Sequence, residues 1–459
     1  MTKTEIENSV IAQRRYFAEG NTLNLSNRKA YLSALYNAVK RYEGQICDAL
    51  YKDLGKSARE SYMCEIGLTL SEVSYLLKHF KSLTSKKRVK TPLAQFPSKS
   101  AIYPSPYGTV LIMSPWNYPF LLSIEPLAEA VAAGNTVILK PSNYSPNTSA
   151  VMIKLLTEVF PPELVSFVEG GREENAALLD IKFDYIFFTG SKTVGKLVYK
   201  KAAEFLTPVT LELGGKSPCI VDKTADIKAS AKRIVFGKYL NAGQTCVAPD
   251  YILVHEDVKK DFLNEVKKQI ILQFGSSPMQ NNAYGKIITK KHFDRVNGLI
   301  AEDKVFYGGK SDGDLQKIEP TVLDNINYQD LCMQEEIFGP IMPIISYNDI
   351  DKVIKSINEQ PSPLALDIFT EDKVLADKVI KTCRFGGGAV NDVVVHLATF
   401  YMPFGGFGES GMGSYHGKKG FDTFTHYKSV IKGNSKFEID LRYQPYKDSH
   451  DKIVKKFLK

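Results

Sequence analysis

Two reactive side chains, Cys246 and Glu212, stand in segments that suit covalent catalysis. Cys246 ends the run NAGQTC (241–246), a glycine-punctuated loop in which a thiol can act as a nucleophile. Glu212 ends a short apolar stretch just before two glycines, where a carboxylate can act as a general base. Together they indicate acylation of the thiol followed by hydrolysis. Because an isolated cysteine is more often a small buried hydrophobic residue, the neighbouring motifs must decide.

Five separate motifs resemble signature segments of the aldehyde dehydrogenase superfamily and follow the order found in that family. They are SPWNYP (114–119), LELGGKSP (211–218), NAGQTCVAPDY (241–251), EEIFGP (335–340) and PFGGFG (403–408), the last followed by SGMGSYHG (410–417). The final segment and APDY (248–251) resemble the short, class 3 branch. The resemblance extends from about residue 10 to about residue 435.

The resemblance implies oxidation of an aldehyde to a carboxylic acid with NAD or NADP as cofactor. Cys246 would form the thiohemiacetal and then the thioester, and Glu212 would activate the hydrolytic water. The Asn117 amide and the backbone N–H of Cys246 would stabilise the oxyanion. Relatives that transfer the acyl group to coenzyme A or reduce acyl phosphates do not need this base, so Glu212 favours hydrolysis. By analogy with class 3 relatives, we expect medium-chain, long-chain or aromatic aldehydes as substrates.

The resemblance also implies a dinucleotide site. Its expected residues are Trp116, Lys140, Ser142, Asn143, Gly190, Ser191, Val194, Gly195, Glu336 and Phe338. Gly190 lies where a predicted strand turns into a helix, and backbone amides at such a turn favour a pyrophosphate. Family members often carry Glu at position 143, whose charge would repel a 2′-phosphate, whereas the neutral Asn143 would not. We therefore expect both NAD and NADP to be accepted, unless Asn143 is a plain turn residue.

The chain has 459 residues, which is too long for one core and predicts two or three domains. Short apolar strands alternating with helices predict an α/β fold with a Rossmann-like, doubly wound parallel sheet. The expected division is a dinucleotide-binding domain (1–80 and 101–208), a catalytic α/β domain (209–420), a small β oligomerisation arm (81–100 and 421–435) and a basic tail (436–459). The arm and a homodimer are what the resemblance implies. Strands are predicted at 109–113, 137–139, 164–168, 185–188, 252–254, 341–345 and, at a sheet edge, 425–432.

Composition excludes several classes of protein. The hydrophobic content of 44% and the charged content of 24% are ordinary for a globular protein, and the net charge of +8 is dispersed. Without a basic stripe or a known module, nucleic acid is not an expected partner. No apolar run nears the roughly 20 residues that span a bilayer, and the N-terminus lacks a signal-peptide core, so we expect a cytoplasmic protein. The six cysteines and seven histidines show no paired spacing, so we expect neither disulfides nor a metal site.

The tail leaves two interpretations open. Residues 451–459 (DKIVKKFLK) place Ile453, Val454, Phe457 and Leu458 on one helical face among lysines. This pattern is typical of an interfacial membrane anchor and equally of an ordinary docked or frayed terminal helix. The second interpretation is the simpler one.

Two other functions are alternatives to aldehyde oxidation. A non-catalytic protein that reuses the fold would be expected to lose Cys246, Glu212 or Asn117, and all three are present. An acyltransferase to coenzyme A would require coenzyme A for turnover, which separates it by a direct assay.

Overall fold

The computed structural model describes residues 1–458 and, at Phe457, the backbone alone. The helices are α1 (Lys3–Ala18), α2 (Leu25–Leu54), α3 (Ala58–Ser61), α4 (Gly67–Thr84), α5 (Leu121–Ala133), α6 (Pro146–Val159), α7 (Arg172–Leu179), α8 (Lys192–Glu204), α9 (Ile227–Tyr239), α10 (Glu256–Phe274), α11 (Lys290–Asn297), α12 (Ile350–Glu359), α13 (Lys373–Thr382), α14 (Gly417–Thr423) and α15 (Asp448–Phe457). The strands are β1 (Lys87–Val89), β2 (Lys99–Pro106), β3 (Thr109–Met113), β4 (Thr136–Lys140), β5 (Val165–Phe167), β6 (Tyr185–Thr189), β7 (Val209–Glu212), β8 (Pro218–Val221), β9 (Tyr251–His255), β10 (Val305–Tyr307), β11 (Ser311–Asp312), β12 (Lys317–Ile318), β13 (Thr321–Leu323), β14 (Ile341–Tyr347), β15 (Ala365–Phe369), β16 (Gly387–Val390), β17 (Gly411–Met412) and β18 (Thr425–Lys432).

The first large sheet has six strands in the order β17-β7-β6-β3-β4-β5. All are parallel except β17, which pairs antiparallel with the end of β7. Successive side chains of β3 point to opposite faces of the sheet, as in any strand, and pack into two different hydrophobic cores. Val110 and Ile112 pack with residues of α2, α4 and α5, whereas Leu111 and Met113 pack with residues of α1, α7 and α8. The sheet is therefore covered by helices on both faces.

The second large sheet has seven strands in the order β10-β13-β14-β9-β8-β15-β16, all parallel except β10. The chain leaves the first sheet after Glu212 and enters the second at Pro218. The chain therefore changes sheets a few residues after the domain boundary predicted at residue 208, because β7 still pairs in parallel with β6 of the first sheet. Two helix-covered parallel sheets confirm the predicted α/β fold class.

A third, separate sheet has the order β1-β2-β18 and takes most of its central strand from residues 101–106, which were predicted to belong to the dinucleotide-binding domain and not to the arm. β2 and β18 pair antiparallel over eight residues, from Thr425 opposite Pro106 to Lys432 opposite Lys99. The bounds of β18 equal those of the predicted edge strand. Both the 81–100 and the 421–435 segments thus contribute to one sheet, and β18 forms one of its edges.

The C-terminal helix α15 is largely exposed. Ile453 is 41% exposed and Leu458 is 72% exposed, while Val454 is partly buried. The side chain of Phe457, the fourth residue of the predicted apolar face, lies outside the described part of the chain. No helix within residues 1–458 combines the length and apolar character needed to cross a membrane.

Candidate active site

A cavity of about 530 Å³ lies where strands of the first sheet end. Loops that follow the carboxyl ends of β3, β6 and β7 line it, and such ends are where doubly wound sheets bind ligands. All three predicted catalytic residues and five of the predicted cofactor residues line this cavity: Asn117, Glu212, Cys246, Trp116, Gly190, Ser191, Glu336 and Phe338. The structure thus brings together side chains that lie far apart in the chain.

The other five predicted cofactor residues do not line this cavity. They are Lys140, Ser142, Asn143, Val194 and Gly195. The Lys140 ammonium donates to the backbone carbonyls of Pro141 (2.9 Å) and Gly170 (2.8 Å), and its burial lowers its pKa to about 8. Asn143 is exposed beyond the end of β4.

Val194 and Gly195 belong to the first turn of α8, just behind the cavity wall. A Cβ on Gly195 would lie 2.6 Å from the Leu213 side chain, so this glycine allows close packing of α8 against the loop after β7. Gly195 therefore packs α8 against this loop, and its contact with a dinucleotide stays a prediction.

The loop before Cys246 has a strained backbone. Asn241 (φ 54°) and Ala242 (φ 52°) adopt the left-handed conformation, which is costly for residues other than glycine. A Cβ on Gly243 would lie 2.3 Å from the Gly339 carbonyl oxygen, so only glycine fits there. The buried Gln244 holds the loop, because its Nε2 donates to the carbonyls of Asn241 (2.9 Å) and Lys286 (3.0 Å).

The Cys246 thiol lies in an environment that opposes ionisation. Burial raises its pKa to about 12, and the carboxylates of Glu336 and Glu212 add to the increase. The backbone N–H groups of Cys246 and Val247 favour the thiolate but do not offset these effects. The thiol form therefore predominates in the protein alone at neutral pH.

Glu212 is a buried carboxyl group at the wall of the cavity. It is 2% exposed, and within residues 1–458 neither carboxylate oxygen has a hydrogen-bond partner. Burial raises its pKa well above the usual value. A buried carboxyl group that lacks such partners is costly for stability, so its presence at a cavity wall is typical of a catalytic base.

Asn117 is held by its backbone and presents its side chain to the cavity. Its Nδ2 donates to the Gln244 carbonyl at 3.0 Å, which leaves a second N–H of the amide available. Its carbonyl accepts hydrogen bonds from Lys56 Nζ and Asn241 Nδ2, both at 2.8 Å. Lys56 is fully buried and pairs with Glu65 at 2.6 Å. No sequence pattern predicts these hydrogen bonds to the Asn117 backbone, because Lys56, Glu65 and Asn241 come from separate segments of the chain.

Phe338 lies beside Trp116 at the cavity, and Glu336 lies against Gly214. Burial, and secondarily Asp250, raises the pKa of Glu336 to about 8. A Cβ on Gly214 would lie 2.0 Å from Glu336 Oε2, so the carboxylate rests directly on the backbone of the Gly214 loop. The ring of Phe338 meets Trp116 edge to face, with centroids 5.3 Å apart.

The residues present fit a bound dinucleotide. The helix α8 begins at the cavity, and Ser191 caps it by accepting from the Val194 N–H at 3.5 Å. A helix N-terminus favours an anionic group such as a pyrophosphate. Lys192, Lys216 and Arg295 add cations along the same cavity. The Glu336 carboxylate offers acceptors for ribose hydroxyls.

Several cavity-lining residues were not identified from the sequence. They include Lys192, Lys216, His292, Arg295, Tyr328 and Gln334. His292 and Arg295 occupy one face of α11, three residues apart, in a helix whose sequence carries no recognisable signature. Among these residues, only Lys216 lies next to a recognised motif, directly after the two glycines that follow Glu212. Its position could therefore have indicated that it lines the cavity.

A second buried group of titratable residues lies between α4, α5 and α14. Ligand atoms of Glu72, Glu125 and His416 approach within 4.8 Å of one another. His416 Nδ1 bonds to Glu125, its backbone N–H donates to Glu129 (3.1 Å), and the Gly417 N–H donates to Glu72 (2.9 Å). These bonds join the three helices, so the group has a structural role.

The comparisons with known proteins agree with this site. The family model described as "Aldehyde dehydrogenase family" matches residues 1–430. The chain is 49% identical over 456 residues to the 4,4'-diaponeurosporen-aldehyde dehydrogenase of Staphylococcus aureus, covering 99% of both chains. It is 40% identical over 429 residues to a dog (Canis lupus familiaris) protein named "Aldehyde dehydrogenase, dimeric NADP-preferring", covering 93% of this chain and 94% of the relative.

The solved structures give the same result. A substrate-bound Staphylococcus aureus AldH is 48% identical, covers 99% of both chains and superposes with a TM-score of 0.97. The family match and these identities exceed what a shared fold alone would produce. The chain therefore belongs to the aldehyde dehydrogenase family and is an oxidoreductase whose cofactor is NAD or NADP.

Proposed function

We propose that this protein oxidises an aldehyde to the carboxylic acid through a covalent intermediate on Cys246. The observation that carries the proposal is the convergence of Cys246, Glu212 and Asn117 on one cavity. Glu212 is buried there, and within the described residues both of its carboxylate oxygens lack hydrogen-bond partners. The three residues lie far apart in the chain and come from three different loops or strand ends.

Nucleophilic attack requires the thiolate of Cys246. The thiol pKa is raised in the protein alone, so attack requires the backbone N–H groups of Cys246 and Val247, and the positive charge that a bound nicotinamide would add, to favour the thiolate, with the thiol proton passing to solvent. Glu212, whose raised pKa suits a proton acceptor, lines the same cavity and is assigned to the later hydrolysis. The aldehyde carbon bonds to the sulfur, and the carbonyl oxygen becomes an oxyanion. The remaining N–H of the Asn117 amide and the backbone N–H of Cys246 stabilise that charge.

When bound, the dinucleotide supplies the acceptor for the hydride that leaves the substrate carbon. A thioester on Cys246 then remains. Glu212 takes a proton from water, the hydroxide attacks the acyl carbon, and the thiolate of Cys246 leaves as the carboxylic acid forms. Since no side chain or backbone group in the described part of the chain bonds to the Glu212 oxygens, both are able to orient that water.

The acyl-enzyme offers a direct test. We expect the mass of an acyl group on the peptide that contains Cys246 when Glu212→Gln enzyme is mixed with an aldehyde and NAD or NADP, then quenched. The same variant should release one burst of reduced cofactor and turn over slowly. Cys246→Ser should give neither. Acyl mass on another residue, or unchanged steady-state turnover in Glu212→Gln, would contradict the proposal.

We further propose that both NAD and NADP are used. Asn143 is exposed at the end of β4 and carries no charge that would repel a 2′-phosphate, and Lys140 lies nearby at the end of that strand. The named NADP preference of the dog relative supports this dual use. Comparison of kcat/KM for the two cofactors tests it, and Asn143→Glu should lower kcat/KM for NADP selectively. A strong NAD preference in the unaltered enzyme would contradict it.

We propose a medium-chain, long-chain or aromatic aldehyde as substrate. The cavity wall includes apolar and aromatic groups such as Leu122, Tyr328 and Met333, which suit an apolar chain. The Staphylococcus aureus relative is named as a dehydrogenase of 4,4'-diaponeurosporen-aldehyde, which supports an aldehyde substrate. A panel of aldehydes of increasing chain length, assayed with both cofactors, tests this, and kcat/KM should rise with chain length.

We also propose a cytoplasmic homodimer with the division into domains given above. The six free thiols suit a reducing compartment, and the three-stranded arm offers an edge strand for pairing. The dimeric name of the dog relative supports the assembly. For the exposed helix α15 we keep the simpler interpretation of an ordinary docked or frayed terminal helix, and liposome co-sedimentation with and without residues 436–459 tests the membrane alternative.

A further inference from the structure

Residues 335–338, which contain Glu336 and Phe338, are held in place by side chains from elsewhere. The segment belongs to neither a helix nor a strand, so its backbone polar groups need other partners. Arg295 donates to the carbonyls of Glu336 (3.3 Å) and Ile337 (2.5 Å). Lys216 Nζ donates to the carbonyl of Glu335 at 3.0 Å. Three consecutive backbone carbonyls thus accept hydrogen bonds from two side chains, Lys216 and Arg295.

Asp250 connects these contacts. It is 4% exposed, its Oδ1 accepts from the Ile337 N–H at 3.0 Å, and its Oδ2 accepts from Lys216 Nζ at 2.5 Å. Its own backbone N–H donates to the Ser217 carbonyl at 2.8 Å. The carboxylate therefore joins the segment to the loop that follows Glu212, through a lysine four residues after that base.

The segment would not keep this geometry unaided. Phe338 has a left-handed backbone (φ 48°), which is unfavourable for a bulky residue. The Glu336 carboxylate rests so closely on Gly214 that a Cβ there would lie 2.0 Å from Oε2. A small shift of residues 335–338 would therefore rotate Phe338 away from Trp116 or separate Glu336 from Gly214.

We propose that Asp250, acting through Lys216 and the Ile337 N–H, is a positioning residue that sets Glu336 and Phe338 for cofactor binding. The inference rests on the proposed function, because it takes Glu336 and Phe338 as cofactor contacts. Asp250 itself does not line the cavity, so it acts only through its neighbours. Its loss should weaken cofactor binding without removing the nucleophile, the base or the oxyanion donor.

Dinucleotide affinity can be measured without turnover. Trp116 is the sole tryptophan and meets Phe338 edge to face, so its fluorescence reports on this wall of the cavity. We expect Asp250→Asn to raise the Kd for NAD and NADP by about tenfold, the factor for losing one charged hydrogen bond. Lys216→Met should act in the same direction. The aldehyde KM at saturating cofactor should change little.

A matched pair of the same residue types serves as the control. Lys259 and Asp324 form an ion pair of 2.7 Å outside the cavity, with a lysine about as exposed as Lys216 and an aspartate more exposed than Asp250. Asp324→Asn should leave both Kd values unchanged, and melting temperatures verify that each variant is folded. An unchanged Kd in Asp250→Asn would overturn the inference whatever Lys216→Met does, because Lys216 itself lines the cavity. Failure of the unaltered protein to bind either dinucleotide would instead overturn the proposed function.

Discussion

Burial is the main influence on the Cys246 thiol at the residue scale. The carboxylates of Glu336 and Glu212 both act against ionisation of the thiol, in addition to its burial. The site therefore keeps its nucleophile protonated until a ligand enters. This arrangement protects a low-exposure thiol from adventitious oxidation, because the thiolate is the reactive form.

Removal of one of these charges should make the thiol more reactive. Burial raises the pKa of Glu336 to about 8, so its repulsion is greatest above that pH. We expect Glu336→Gln to speed alkylation of Cys246 by iodoacetamide at about pH 9, where Glu336 is ionised, measured by peptide mass spectrometry. The neighbouring, exposed Glu335 serves as the control, and Glu335→Gln should have little effect. Equal rates in the two variants would contradict the assigned repulsion.

The oxyanion role of Asn117 can be tested with little risk to the loop. Its backbone carbonyl, not its side chain, is the group bound by Lys56, and the Gln244 carbonyl keeps a second donor in Asn241 Nδ2 at 3.1 Å. We expect Asn117→Ala to lower kcat by about 100- to 1,000-fold with a near-normal melting temperature. A kcat within a few fold of the unaltered enzyme would show that the amide does not stabilise the oxyanion.

At the scale of elements, the approach of α14 to α5 is unusually close. A Cβ on Gly420 would lie 1.7 Å from Glu129 Oε1, and Glu129 is fully buried on α5. The helices can approach this far only because position 420 lacks a side chain. This contact brings the start of α14, and with it His416, onto the carboxylates of α4 and α5.

An added methyl group at that position should be poorly tolerated. We expect Gly420→Ala to destabilise the protein by about 1–3 kcal/mol through overpacking. Gly44 is a matched control, because it lies exposed in α2 and, among the described residues, nothing stands within 4 Å of where its Cβ would be. Gly44→Ala should raise the melting temperature slightly, since alanine favours helix. A Gly420→Ala protein that melts like the unaltered one would contradict the close contact.

Uniform burial helps a sequence pattern to predict a strand but does not suffice, because the equally buried β15 is not among the predicted strands whereas the mostly exposed β18 has its predicted bounds. β3 has the predicted bounds, because all five of its residues are buried and form one apolar run. The three residues proposed as catalytic lie in local motifs that can be recognised without tertiary information, and the structure places all three at one cavity. By contrast, the Lys56–Glu65 pair and the contacts of Asp250 join segments that only the fold brings together. No local sequence pattern therefore predicts them. The packing contact of Gly195 with Leu213 likewise cannot be read from the sequence, since a packing glycine and a ligand-binding glycine look alike there.

At the scale of the whole molecule, the arm presents a strand edge that no other described strand covers. β18 pairs with β2 on one side, and its residues Val430 and Ile431 are 38% and 48% exposed. Exposed apolar edge strands are prone to pair with another chain. The arm therefore offers a surface for the proposed dimer.

A charge at this edge should weaken the dimer. We expect Ile431→Lys to lower the mass measured by light scattering toward that of one chain, because lysine on an edge strand opposes pairing. Leu206 lies outside the arm and is 91% exposed, so Leu206→Lys should leave the mass unchanged. If the Ile431→Lys protein remains a dimer at low concentration, the edge of β18 is not the dimer interface.

The buried carboxylates between α4, α5 and α14 make folding a proton-uptake reaction. Burial, reinforced by their neighbouring carboxylates, raises the pKa of Glu72 and Glu129 well above the value of about 4.3 expected in the unfolded chain. Their contribution to stability is complete below that pH and declines as the pH rises toward the folded-state pKa values. Mild alkali should thus act on this enzyme as a denaturant, with a melting temperature lower at about pH 9 than at about pH 6. Glu129→Gln, which keeps an acceptor for the His416 N–H, should flatten that decline.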